Sequence, residues 1–375
     1  MKKKNRTNSS AEGRLIGTQQ ENATPRYDCI KLGIDWHARQ YRVARIIDNA
    51  GPEPAQRFSP EDFLRWAQQQ LTQAKVVVSC YEAGAGGFVL HRQLLALGIL
   101  NLVVAPRKLD RNHRGVKTDK TDAHDLVMEL DRYQRGNDKA LRVVFVPSME
   151  QERRRVQSRQ RQQLQQKRLA LAAQGRSLLL AQGFGESNQW WKAGRWSQLQ
   201  KILPDWLIET LEVWRPLIIC FDQAMVRLQR LLQRAAPRNL PKGLGALSYE
   251  EIVREVGDFG RFKNRKAPGS YTGLCGGVSA SADKVQDLSI TKAGNRRLRT
   301  MLIEAAWRWV FHQPQCPAVQ RWRAVLLEPA AHRRGRKRAI VALARQLFVD
   351  LWRWQTGRVT PQQLGWRMSL PTAAA

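Results

Sequence analysis

The chain has 375 residues and 43.0 kDa, enough for two or three domains with real cores, and 43% of it is apolar. Its 63 Lys and Arg against 32 Asp and Glu leave a net charge of +31 and a pI near 10.9. Self-repulsion on that scale suits a protein whose partner is a polyanion, nucleic acid first and an anionic membrane surface second. No apolar run approaches the ~20 residues that span a bilayer, and no secretory apolar segment follows the basic start, so a cytoplasmic, nucleoid-associated location is expected. The five cysteines (Cys29, Cys80, Cys220, Cys275, Cys316) form no CxxC and share no zinc-ligand spacing with the six histidines. They read as buried, reduced thiols.

Residues 1–27 are polar and basic, an arm expected to be disordered. From 28 to 147 the pattern predicts a mixed α/β sheet. CIKLGID (29–35) and the alternating QYRVARIID (40–48) read as strands, with a DNAG turn and a possible short strand near Arg57 after them. Ser59 and Pro60 supply the N-cap and first position of a helix. KVVVSCYE (75–82) has the continuous apolar character of a strand buried on both faces. A helix over 86–98, a strand at NLVVAP (101–106) and a helix over 119–134 complete the domain.

Between 148 and 240 two long helices predict an antiparallel coiled-coil arm. The first carries seven basic residues from Arg153 to Arg168 and leucines at 164, 171 and 178; the second covers 211–235. Trp190, Trp191 and Trp196 lie in the link, where the first two could stack on bases. A small, mostly α domain is expected over 241–360, followed by a tail over 361–375. In it, Ser248 and Glu251 fit a capping box, Gly257 a C-terminal cap, and 291–310 a helix entered through a Gly-Asn turn. A basic loop (331–338) precedes a last helix over 339–354.

The acids are the informative residues. In KTDKTDAHD (117–125) the carboxylates of Asp119, Asp122 and Asp125 recur every three residues, a spacing that a solvated helix start also shows. Asp35 and Glu82, however, end two apolar strands, where charge is costly unless solvated or bound, and strand ends are where α/β sites gather. Asp35, Glu82, Asp119 and Asp122 together make a ligand set for a pair of Mg²⁺ ions ~3.5–4 Å apart, as phosphodiester chemistry uses. Asp125 is left outside that set.

GID (33–35), Glu82 followed by AGAGG, VVAPRK (103–108) and KTDKTDA (117–123) resemble the DEDD transposases of bacterial insertion sequences, the one-ten family in its larger subgroup. GLG…EVGDFGRF, GLCGGVSAS and ITKAGNRRLR extend the resemblance over roughly 28–360. It implies an RNase H-like, RuvC-type domain binding Mg²⁺ through the four acids, a coiled-coil arm, and a carboxy-terminal domain with a serine nucleophile. It implies too a homo-oligomer, dimer to tetramer, acting on double-stranded DNA under a structured guide RNA. Counting back from TKAGN places the nucleophile at Ser281, although Ala282 stands where the family has glycine; Ser279 is the alternative. A RuvC-type endonuclease without the serine, and a non-catalytic nucleic-acid-binding relic, are the competing functions.

For nucleic-acid contact the sequence offers a turn at Gly243 and Gly245, whose backbone N–H groups could meet phosphate. Lys292, Arg296, Arg297 and Arg299 cluster at a helix start, a poor place for cations unless an anion is near. The Arg153–Arg168 stripe and the 333–338 segment could hold nucleic acid or be solvated.

Overall fold

A computed structural model describes residues 25–106, 119–185, 189–281, 284–328 and 332–369; the side chains of 119–121 and 278–287 are not described. Most of the basic arm and the last six residues therefore lie outside it. The chain forms two compact units, 1–146 and 147–375.

The first unit is a five-stranded mixed sheet in the order β3-β2-β1-β4-β5. β1 (Tyr27–Trp36), β2 (Tyr41–Ile47) and β3 (Gln56–Phe58) run antiparallel in turn, while β4 (Ala74–Glu82) and β5 (Leu100–Val104) continue parallel to β1. The DNAG turn is present, with Asp48 in the left-handed region at φ 46°. Two helices, α1 (Pro60–Gln73) and α2 (Val89–Leu97), connect strands, and α3 (Asp119–Gln134) follows the last of them. Ser59 caps α1 as expected, its side chain accepting the Asp62 N–H.

Strand alternation separates the sheet's two faces. Ile30, Leu32, Ile34, Val77 and Tyr81 pack with Phe63, Ala67, Leu90 and Leu94, the apolar sides of α1 and α2. On the other face Cys29, Val78 and Cys80 meet Leu126 and Leu130 of α3. Lys31, only 6% exposed, survives in this core because its Nζ lies 2.7 Å from both the Asp131 carboxylate and the Asp48 carbonyl.

The second unit opens with α4 (Met149–Ala181) and a capping box between Ser148 and Gln151. α5 (Ala193–Leu199) and the long α6 (Asp205–Ala235) follow. α4 and α6 pack antiparallel, as the Arg168–Asp222 ion pair and the joining of Ala172 and Leu179 to Leu207, Leu211 and Ile218 require. Leu171 and Leu178 line the same seam. The tryptophans of the link are not available to bases: Trp190 is wholly buried and Trp191 is 3% exposed. The Trp190 ring lies against Gly175 so closely that a Cβ there would sit 2.2 Å from it, and its Nε1 donates to the Ala172 carbonyl at 3.0 Å.

The rest of the unit comprises α7 (Ala246–Val256), α8 (Lys266–Thr272), a hairpin of β6 (Gly276–Ser281) and β7 (Lys284–Ile290), α9 (Arg296–His312), α10 (Pro317–Leu327) and α11 (Arg333–Gln355). Leu298, Leu302, Trp309, Leu343, Leu347 and Phe348 form its core. Several sequence expectations are corrected here. The Ser248–Glu251 capping box does not form: α7 starts three residues earlier, with Gly245 at its N-cap, Ser248 accepts from Arg308, and Glu251 pairs with Arg161. Gly257 does end α7, at φ 78°. Residues 333–338 are the first turns of α11, not a loop. Cys220 is exposed on α6 rather than in a core.

Candidate active site

Asp35 is the ninth residue of β1 and Glu82 the last of β4, and the parallel register Ile34↔Tyr81 sets the two acids side by side. The alternation that turns Lys31, Gly33, Val78 and Cys80 toward α3 puts Asp35 and Glu82 on that face too. Asp35 is half-buried and Glu82 exposed. Arg42 stands opposite Asp35 in the antiparallel β1–β2 pairing, a neighbouring cation that sequence reading missed. Its signal was alternation alone, which does not fix register.

α3 crosses this face antiparallel to β1. Its Asp131 meets Lys31, and its Ala123 and Val127 lie over Gly33. A Cβ on Gly33 would come within 2.4 Å of the Ala123 carbonyl and the Val127 nitrogen, so glycine is what lets helix and strand approach this closely. The helix therefore begins toward the strand end that carries Asp35, and its first turn holds Asp119 and Asp122. Asp122 is half-buried; the Asp119 side chain lies outside the described residues. Among the described residues no three His, Cys, Asp or Glu side chains stand close enough to hold a metal. The donor chemistry nevertheless fits a hard divalent cation, since all four groups offer carboxylate oxygen.

In the second unit, Ser279 and Ser281 fall on β6, paired with Gln286 and Lys284 of β7; their side chains lie outside the described residues. Asn295 caps α9, accepting the Leu298 N–H at 3.0 Å. Of the basic residues near that cap, Lys292 and Arg296 are exposed, whereas Arg297 and Arg299 are engaged inside the protein. Arg297 donates to the Ser158 carbonyl and hydroxyl and lies near Glu251 and Glu255; Arg299 donates to the carbonyls of Thr272 and Lys292.

The α4 arginine stripe has a similar internal use. Arg154 pairs with Glu250, Arg159 with Glu255 and Arg161 with Glu251, all acids of α7. Burial would raise the Glu255 carboxyl, but hydrogen bonds from Arg159 and Asn295 and the charges of Arg159 and Arg297 hold it below its usual range. Glu251 goes the other way, its burial outweighing Arg161 and Arg297.

In the Gly243–Gly245 turn, Gly243 is left-handed at φ 89°. The Lys242 and Leu244 N–H groups are taken by the carbonyls of Arg367 and Pro241. A basic row that sequence reading overlooked lies on α6: Arg227, Arg230 and Arg234 line one groove, exposed and without an acid partner among the described residues. Their spacing of three and four was the available signal.

Among the described residues no helix is long and apolar enough to cross a membrane. Residues 241–321 match the family described as Transposase IS116/IS110/IS902. The "Putative transposase y4rJ" of Sinorhizobium fredii is 32% identical over 301 residues, 73% of this chain and 75% of its own length. The transposase for insertion sequence element IS1111A of Coxiella burnetii is 26% identical over 79% of this chain and 83% of its own. That for IS1533 of Leptospira borgpetersenii is 23% identical over 86% and 94%. Likeness of that degree, carried through both units, makes the chain a member of the IS116/IS110/IS902 transposase family, a DNA-cutting recombinase.

Proposed function

We propose that this transposase cuts and rejoins DNA with Asp35, Glu82, Asp119 and Asp122 as magnesium ligands and Ser281 as the covalent nucleophile. In this reading the first unit is an RNase H-type fold, and the α4–α6 pair is a coiled-coil arm of a homo-oligomer directed by a guide RNA. The observation that carries it is the pairing of Asp35 and Glu82 at the ends of adjacent parallel strands, on the face crossed by a helix that starts at Asp119. Bound there, magnesium would offset the charge that builds on the phosphate oxygens.

The chain's own part is a transesterification. The Ser281 hydroxyl attacks phosphorus, the Oγ–P bond forms, and the bond to one deoxyribose oxygen breaks. That oxygen leaves with the serine proton. The phosphoserine link keeps the ester for rejoining, which hydrolysis would discard. Support for Ser281 over Ser279 is its place ten residues before Thr291 of TKAGN. Quenching the reaction on a plasmid that carries the gene with its native flanking DNA, then mapping the DNA-linked peptide, tests this. A link at Ser281 is expected, and a link at Ser279 would move the nucleophile by two residues. Cutting with no adduct at all would replace the serine mechanism by a hydrolytic one.

Nucleic-acid contact is assigned to Lys292, Arg296 and the α6 row. Replacing Arg227, Arg230 and Arg234 together with Gln should weaken binding uniformly across sequences. It should also flatten the slope of log K against log salt by about 2 to 3, at ~0.9 for each phosphate no longer neutralised. An unchanged slope in a filter-binding titration would remove the row from the interface.

A further inference from the structure

The segment TKAGN (291–295) lies along 271–275, the stretch that leads into β6. Thr291 N–H donates to the Cys275 carbonyl at 2.9 Å, Lys292 N–H to Gly273 at 3.1 Å and Asn295 N–H to Tyr271 at 3.0 Å. The contact is close: a Cβ on Gly294 would stand 2.4 Å from the Tyr271 carbonyl. Arg299 staples both strips by donating to the Thr272 and Lys292 carbonyls. The hairpin bearing Ser279 and Ser281 thus leaves and returns through one clasp, which fixes its root.

One side chain ties that clasp to the helices behind it. The Glu255 carboxylate, wholly buried, accepts from Arg159 Nε at 2.8 Å and Nη2 at 3.0 Å, and from Asn295 Nδ2 at 2.8 Å. Arg297 Nη1 stands 3.7 Å away, and the Glu255 backbone carbonyl accepts from the Tyr271 hydroxyl. The other end of the Asn295 amide is committed to capping α9, so the amide cannot flip without uncapping the helix. Glu255 therefore joins α4, α7, the clasp and the start of α9 at one point.

We propose that Glu255 is a positioning residue, holding the clasp through Asn295 and so aiming the serine hairpin. This rests on Ser281 as nucleophile. Only an acceptor on both oxygens satisfies the donors that converge there. Glu255→Gln keeps the shape but turns its N–H groups toward an Arg159 donor in either orientation, and toward Asn295 as well in one of them. Asn295→Asp keeps the helix cap but sets a carboxylate against Glu255. The Glu255→Gln/Asn295→Asp double variant reverses the bond, with the amide nitrogen donating to the new carboxylate and the amide oxygen keeping Arg159 Nε, so that only Arg159 Nη2 loses its acceptor, and it retains the wild-type charge.

The test combines hydrogen exchange on the full-length protein with transposition of the plasmid-borne gene and its native flanks. In each single variant the Thr291, Lys292 and Asn295 amides should exchange about ten- to a hundred-fold faster, the scale of one broken hydrogen bond to a charged group. Amides of α11 should hold, and transposition should fall by a similar factor. The double variant should recover the larger part of both losses, standing well above either single variant. If Glu255→Gln fails to fold, Asn295→Asp alone carries the comparison with the double. Unmoved clasp amides, or no recovery in the double variant, would overturn the clamp. Faster exchange with undiminished transposition would overturn the positioning role, while the adduct map decides Ser281 independently.

Discussion

Asp35→Asn is expected to abolish strand cutting while leaving the fold and the bulk affinity for nucleic acid close to wild type. The substitution is nearly isosteric and removes one negative charge from a chain of net +31. The core of β1 ends at Ile34, so Asp35 contributes little apolar packing. A proposed metal ligand, by contrast, is removed. Outer partners of such ligands are worth about 10–100-fold, and loss of the ligand itself should exceed that, on the order of a thousand-fold or more in cutting. Glu82→Gln, from the neighbouring strand, should behave alike. Excision of the plasmid-borne element gives the activity, thermal melting the fold, and filter binding the affinity. An Asp35→Asn protein that cuts at the wild-type rate would remove Asp35 from the chemistry.

Gly33→Ala is expected to damage stability and activity together, from a single added methyl. Its Cβ would meet the Ala123 carbonyl and Val127 nitrogen at 2.4 Å and the Val127 Cβ at 2.8 Å. Two of those atoms are helix backbone, so no rotamer change relieves the clash. α3 must move away from the sheet, and overpacking of this kind costs about 1–3 kcal/mol or more. The same displacement carries Asp119 and Asp122 with it, and a ~1 Å misplacement near a reacting centre costs about a hundred-fold. Gly51→Ala is the control, because a Cβ there meets nothing within 4 Å. Melting and excision measured on both variants decide the point. A Gly33→Ala protein that melts with wild type would mean that helix and strand do not rely on this approach.

The first unit was largely legible because its signals are local. Apolar runs and alternation marked β1, β2, β4 and β5, the DNAG turn pointed to the short β3, and the helix expected over 119–134 spans Asp119–Gln134. Asp35 and Glu82 stood out as charges ending apolar strands, and their adjacency follows once the strands pair in parallel. The second unit was less legible. GGVSASADKVQ carries no apolar alternation strong enough to announce a hairpin, so β6 and β7 were missed, and α8 is too short to show a period. The roles of Arg159 and Arg297 could not be read at all, since their acid partners lie 96 and 42 to 46 positions away in a linear code that records no such distances. Reading 333–338 as a loop erred because a run of cations looks solvated whether or not it is wound into a helix.

The pairing of α4 with α7 also changes where the protein's valence resides. Arg154, Arg159 and Arg161 look in sequence like part of one continuous cationic belt, yet each faces an acid across a helix interface. That seam is close to self-compensated and presents little field to a polyelectrolyte. The uncompensated excess is displaced onto other surfaces, such as the α6 row, where each cation meets counterions rather than carboxylates. A strand approaching the second unit would therefore sense less field at this seam than its run of arginines suggests, and more at the α6 row. Its docking direction would be set by which arginines the fold has left unspent.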